Sequence, residues 1–302
     1  VDDRLVPGEL FAAAAQTPDD RKVPERFQLL EKFGAVKVWV ADKDSLPGAA
    51  RLEFVAGLRK MLDNYKALFT MDREVFTLGA GGKTEIKRLE RDVDLVLFRG
   101  RSDWEEWFGK GSEEPMTGHV YRYRNIIGIP LAGGEVEEQI WPQLWHEFFH
   151  VFLYNDLVTG GPCWFNEGVA EHFAFSRPGT KPGDASAYGA LTARLRVRLE
   201  KSDLPAIGDL LHQRADGFGR ARMDEAWVLA HLLMTESKDT VNTMIRRIWQ
   251  LEQAATGREN AAREDVVRYG AWMVEEAFRG RKNLQEAFEH HWSAVLDSPV
   301  HT

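Results

Sequence analysis

His146, Glu147 and His150 form the pattern H-E-x-x-H within WPQLWHEFFHVFL, residues 141–153. On a helix, positions i and i+4 share a face, so both imidazoles can approach one ion. Glu147 stands one residue round, beside such an ion rather than on it. A carboxylate there can take a proton from water, which is the layout of a zinc hydrolase with Glu147 as general base. A zinc ion held by two histidines needs a third protein ligand and one open position. Glu167, with sixteen residues between it and His150, arrives in Asn166-Glu167-Gly168 at the start of a new helix. The plain alternative is a helix with two histidines satisfied by polar surroundings.

The chemistry requires helical context on both sides. Ile140, Leu144, Phe148, Val151 and Phe152 recur close to the 3.6-residue period. Pro142 fits a first turn, where its missing N–H costs nothing. The spacing therefore predicts a helix from Trp141 or Pro142 to Asn155, ended by the breaker Gly160-Gly161-Pro162.

HEFFHVFL followed by P-x-W-F-N-E-G-V-A-E resembles the gluzincin clan of zinc metallopeptidases, most closely its small peptidase MA-like domains. The likeness runs from about Gly118 to Phe175, with a weaker echo near Trp227, and does not reach the first hundred residues. It implies an α+β, thermolysin-like fold and one zinc ion per chain, held by His146, His150 and Glu167. It also implies that Glu147 activates the water and that the substrate is a peptide or protein. Glu171, one turn beyond Glu167, is implied to hydrogen-bond a zinc histidine; otherwise it is a surface carboxylate. Relatives often carry a tyrosine in a downstream helix of the form Y-x-x-x-W-A-L, available to steady an oxyanion. The echo here, Met223-Asp224-Glu225-Ala226-Trp227-Val228-Leu229, has methionine at that place. His231, eight residues on and near the same helical face, is the candidate replacement, with Tyr188 and Tyr269 as rivals. This departure supports a second reading: a catalytically impaired zinc-binding module that binds peptides or proteins without turnover.

Hydrophobic residues at 44% and charged residues at 28% are ordinary for a globular chain, and the length suffices for a large core. A net charge of −8 argues against a nucleic-acid or anionic-membrane surface. No apolar run approaches the ~18 residues of a membrane span. The single cysteine, Cys163, excludes an internal disulfide and reads as a small buried residue rather than a ligand or nucleophile. The chain begins at Val1, as a trimmed or processed product would, and the resemblance implies export to a periplasmic or extracellular location.

In chain order, residues 1–30 read as a loose arm, 31–176 as an α/β metallopeptidase lobe and 177–302 as a helical lobe. Strands are expected at Ala35–Ala41, Glu74–Leu78 and Val93–Phe98, with helices at Arg51–Phe69 and Ser102–Gly109. Gly79–Thr84 lacks phosphate-loop spacing and reads as a hairpin loop. The β-rich run His119–Pro130 is a candidate edge for pairing with extended substrate. Beyond the loop Arg177–Gly183, helices are expected at Tyr188–Lys201, Leu204–His212, Met223–Glu236, Val241–Leu251 and Leu284–Val295. The basic run Arg194, Arg196, Arg198 and Lys201 reads as a solvated helix face.

Overall fold

A computed structural model describes residues 23, 25–33, 36–41, 48–68, 93–108, 125–131, 140–157, 160–174, 189–201, 203–213, 218–254 and 259–297. The alternating run VKVWV forms strand β2 (Val36–Val40), and β-rich runs form β3 (Val93–Phe98) and β4 (Asn125–Pro130). These three pair in parallel, and β1 (Gln28–Phe33) joins β2 antiparallel, giving the sheet order β1-β2-β3-β4. β1 begins inside the segment expected to be a loose arm. Its register shifts between Leu29 and Glu31, so QLLEKF lacks the strict alternation that marks a strand.

Parallel neighbours require crossovers, and helices α1 (Gly48–Leu68) and α2 (Arg101–Phe108) supply them. They cover opposite faces of the sheet. Val38, Val40, Leu95, Leu97 and Ile127 pack with Phe54, Leu58 and Met61 of α1. Val96, Phe98 and Ile126 pack with Trp104 of α2, whose indole N–H donates to the Gly128 carbonyl at 3.1 Å. That two-sided cover explains why β3 and β4 read as nearly continuous apolar runs.

The remainder is helical: α3 (Ile140–Asp156), α4 (Cys163–Ala174), α5 (Gly189–Glu200), α6 (Ile207–His212), α7 (Arg220–Glu236), α8 (Lys238–Ala254), α9 (Glu259–Ala277) and α10 (Arg281–Asp297). The architecture is α+β, a small mixed sheet with a mostly helical remainder. Helix α4 is its centre, buried from Trp164 to Ala174. One apolar cluster runs from Leu30 in the sheet through Phe149 and Phe173 to Trp292 and Leu296 in α10. The two expected lobes thus share a core among the described residues.

Helix α9 is an addition to the sequence reading. Its charged residues interrupt the apolar period, and Trp272 remains half-exposed while Val266, Ala271 and Val274 are buried. The basic run on α5 is only partly a solvated face: Arg196 and Lys201 are exposed, but Arg194 and Arg198 turn towards α7. Arg194 grips Asp224 of α7 through two bonds of 2.7 and 2.8 Å, and Arg198 reaches Glu225 at 2.6 Å. Arg196 donates to the Leu296 carbonyl at 2.9 Å. Asp224 and Glu225 are buried, so these cations answer interior carboxylates.

The expected strand Glu74–Leu78, the loop Gly79–Thr84, residues 119–124 and the boundary loop Arg177–Gly183 lie outside the described residues. Among those described, no helix is long and apolar enough to cross a membrane.

Candidate metal centre

The turn between α3 and α4 brings Glu167 back over the H-E-x-x-H face. Gly160 and Gly161 adopt φ of 72° and 77°, the left-handed region that strains any residue with a Cβ. The Pro162 carbonyl then accepts the N–H groups of Phe165 at 3.0 Å and Asn166 at 2.9 Å, starting α4 immediately after the turn. One residue past Glu167, Gly168 lets α4 lie directly on α7. A Cβ built there would sit 2.2 Å from the Ala226 carbonyl oxygen, a distance no side chain accommodates. The glycine of the N-E-G motif is therefore a packing requirement.

His146, His150 and Glu167 converge, each offering one ligand atom, with all three atoms within 4.8 Å of one another. His146 Nε2 lies 2.9 Å from His150 Nε2 and 3.4 Å from Glu167 Oε2; His150 Nε2 lies 3.7 Å from the same oxygen. Ligands at 2.0–2.1 Å around a tetrahedral ion stand about 3.3 Å apart, a value inside this range. Two imidazole nitrogens and a carboxylate oxygen suit zinc with one position left over. Among the described residues this is the one such grouping of three potential ligands.

His150 Nδ1 lies 2.8 Å from Asn166 Oδ1. An amide oxygen can only accept, so Nδ1 carries the hydrogen and Nε2 presents its lone pair to the centre. That tautomer is the one a ligand histidine requires. Asn166 thus joins the cluster through His150, although the sequence placed it inside the motif without a role; its adjacency to Glu167 on the helix was the available signal.

The electrostatics favour one positive charge at this place. Burial opposes charge on His146, but the hydrogen bond to Glu167 and the carboxylates of Glu171, Glu167 and Glu147 raise its pKa to about 9. For His150, burial and the neighbouring His146 outweigh Glu167 and leave the pKa at about 4. Burial lifts Glu147 to about 7; Glu167 and Glu171 add to the rise, and His146 opposes it. Glu171 is buried, contrary to the surface alternative, and its charge is felt at both His146 and Glu147.

His231 is not a member of the converging group. Its Nδ1 lies 2.7 Å from His291 Nε2 of α10, and its ring meets His172 of α4 edge-on and Trp227 at a tilt. Met223, which stands where the sequence resemblance looked for a tyrosine, is buried. The Tyr269 hydroxyl donates to Met273 Sδ at 3.0 Å on α9, while Tyr188 lies outside the described residues. Cys163 is partly buried and is not one of the converging ligands. Trp145, Trp164 and Phe165 pack in the core, and Trp141 lies over Gly57 and Phe54.

No protein-family model matches the chain, and no curated protein matches it.

Proposed function

We propose that the protein is a zinc-dependent hydrolase of peptide bonds, a metallopeptidase of the gluzincin kind with a thermolysin-like arrangement. The observation that carries this reading is the convergence of His146, His150 and Glu167 from two helices, with Asn166 fixing the His150 tautomer. His146, His150 and Glu167 would hold the ion. A bound zinc supplies Lewis acidity to a carbonyl and makes water more acidic. Glu147, beside the ligand pair and with its pKa near neutrality, accepts the water's proton and returns it to the departing amine. Asn166 would hold the His150 ring in the tautomer whose Nε2 faces the centre, and the Glu171 carboxylate acts electrostatically on His146.

A second reading keeps the ion but not turnover: a peptidase-like module that binds peptides or proteins. Met223, which cannot donate a hydrogen bond, favours it, as does the engagement of His231 with His291. Digestion of a broad peptide library separates the two readings. Cleavage that disappears with a chelator and returns with zinc supports the peptidase. Binding of zinc and peptides without any cleavage supports the module.

A further inference from the structure

We propose that His172, His231 and His291 form a proton-sensitive latch that fastens helix α10 to α4 and α7, closed while the three imidazoles are neutral and released on acidification. The inference is independent of any metal at His146.

The three rings come from three helices. His231 of α7 occupies the middle, with its Nδ1 2.7 Å from His291 Nε2 of α10 and ring centroids 4.9 Å apart. On its other side the His172 ring of α4 lies 5.5 Å away, centroid to centroid, at 65°. Trp227, one turn before His231, adds an aromatic contact at 5.2 Å. His172 and His291 are buried, and His231 is partly so. Neutral imidazoles suit this arrangement, because one ring N–H donates to the lone pair of the other. Protonating both His231 and His291 replaces that bond with two N–H groups facing one another. A charge on His172 would then meet a second cation across the edge-to-face ring contact.

The groups around the latch offer the added protons little relief. From α10 come His290, exposed, and Glu289, which accepts from Gln285. From α7 come Asp224, held by Arg194, and Glu225, held by Arg198 and Arg222. From α5, Arg198 lies 5.5 Å over the Trp292 ring, next in sequence to His291, and Arg196 donates to the Leu296 carbonyl. Glu171 precedes His172 on α4, and its charge is felt at His146 and Arg194. His212 of α6 is exposed. Asp224 and Glu225 thus have cationic partners, Glu289 accepts from an amide, and Glu171 acts on His146 and Arg194.

Burial pushes His172 down to about 3 and His291 down to about 4, with His231 adding to both and His290 to the second. Both folded values lie below the unfolded value near 6.5. The latch is therefore intact above about pH 6.5 and is lost progressively as pH falls from there towards 4.

Amide hydrogen exchange on the full chain tests this, at about pH 7.5 and about pH 5, corrected for intrinsic rates. In the wild type, protection of α10 should fall at least about tenfold at the lower pH, while β2 and β3 keep theirs. His172→Phe with His291→Gln keeps a ring and a hydrogen-bonding group but cannot titrate, and should abolish the difference. His291→Gln alone should halve it or better, which covers failure of the double variant to fold. His290→Gln should leave it unchanged. Unaltered α10 protection in the wild type would overturn the latch. So would a loss spread evenly over the sheet, or one that persists undiminished in His291→Gln.

Discussion

Helix α4 carries members of two buried imidazole clusters with opposite responses to a proton. At His146 the pKa is raised to about 9, whereas His172 and His291 fall to about 3 and 4. Burial acts in the same direction on all three, so burial is not what distinguishes the clusters. The difference is the carboxylates. Glu147, Glu167 and Glu171 surround the first cluster, and the second is governed by its own imidazoles. Within the first cluster only one imidazole takes the charge, since His150 stays at about 4. A cluster that gathers three acids around two histidines favours a single positive charge. A cluster of histidines facing one another is built to stay neutral.

The largest expected effect lies at Glu147. Glu147→Gln keeps the shape but cannot accept a proton, so peptide cleavage should fall by about 100- to 10,000-fold. Zinc content, measured on the same preparation, should be unchanged. Undiminished cleavage would assign the base to another residue.

Gly168 binds the two clusters into one framework, because it sets α4 against α7. Gly168→Ala places a methyl group against the Ala226 carbonyl and should destabilise the fold by roughly 1–3 kcal/mol in urea titration. Zinc affinity should weaken in the same variant. A fully stable Gly168→Ala would mean that α4 can shift without disturbing either cluster.

Asn166→Ala and Glu171→Ala should each weaken zinc binding by about 10- to 100-fold in competition with a chromogenic chelator. They act differently on the comparison. Losing Asn166 frees the His150 tautomer, whereas losing Glu171 removes negative charge near His146. In metal-free protein, Glu171→Gln should move the His146 pKa, followed by NMR, downward from about 9 towards the values of the second cluster. An unmoved His146 would show that Glu167 and Glu147 set it without Glu171.

Much of the first cluster was legible in the sequence because its logic is local. The i, i+4 histidines, the Gly-Gly-Pro turn and the Glu167–Glu171 spacing are all helix arithmetic. The second cluster was not legible. His172, His231 and His291 are separated by 59 and 60 positions, and only tertiary packing brings them together. His231 was singled out from its helical face relative to Met223, a relation that does not specify which neighbouring helix the face meets. The ion pairs of Arg194 and Arg198 escaped for the same reason, since a basic run looks alike whether solvated or paired across an interface. β1 was hidden by its bulge and α9 by charges that break its period.

The central claim is that the cluster of three acids and two histidines holds one metal ion. Elemental analysis of protein purified without chelators tests it most directly, in the wild type beside His146→Ala and Glu167→Ala. About one zinc per wild-type chain is expected, and little in either variant, because two ligands from the chain hold the ion poorly. Wild-type protein with essentially no metal, even after incubation with zinc and desalting, would contradict it.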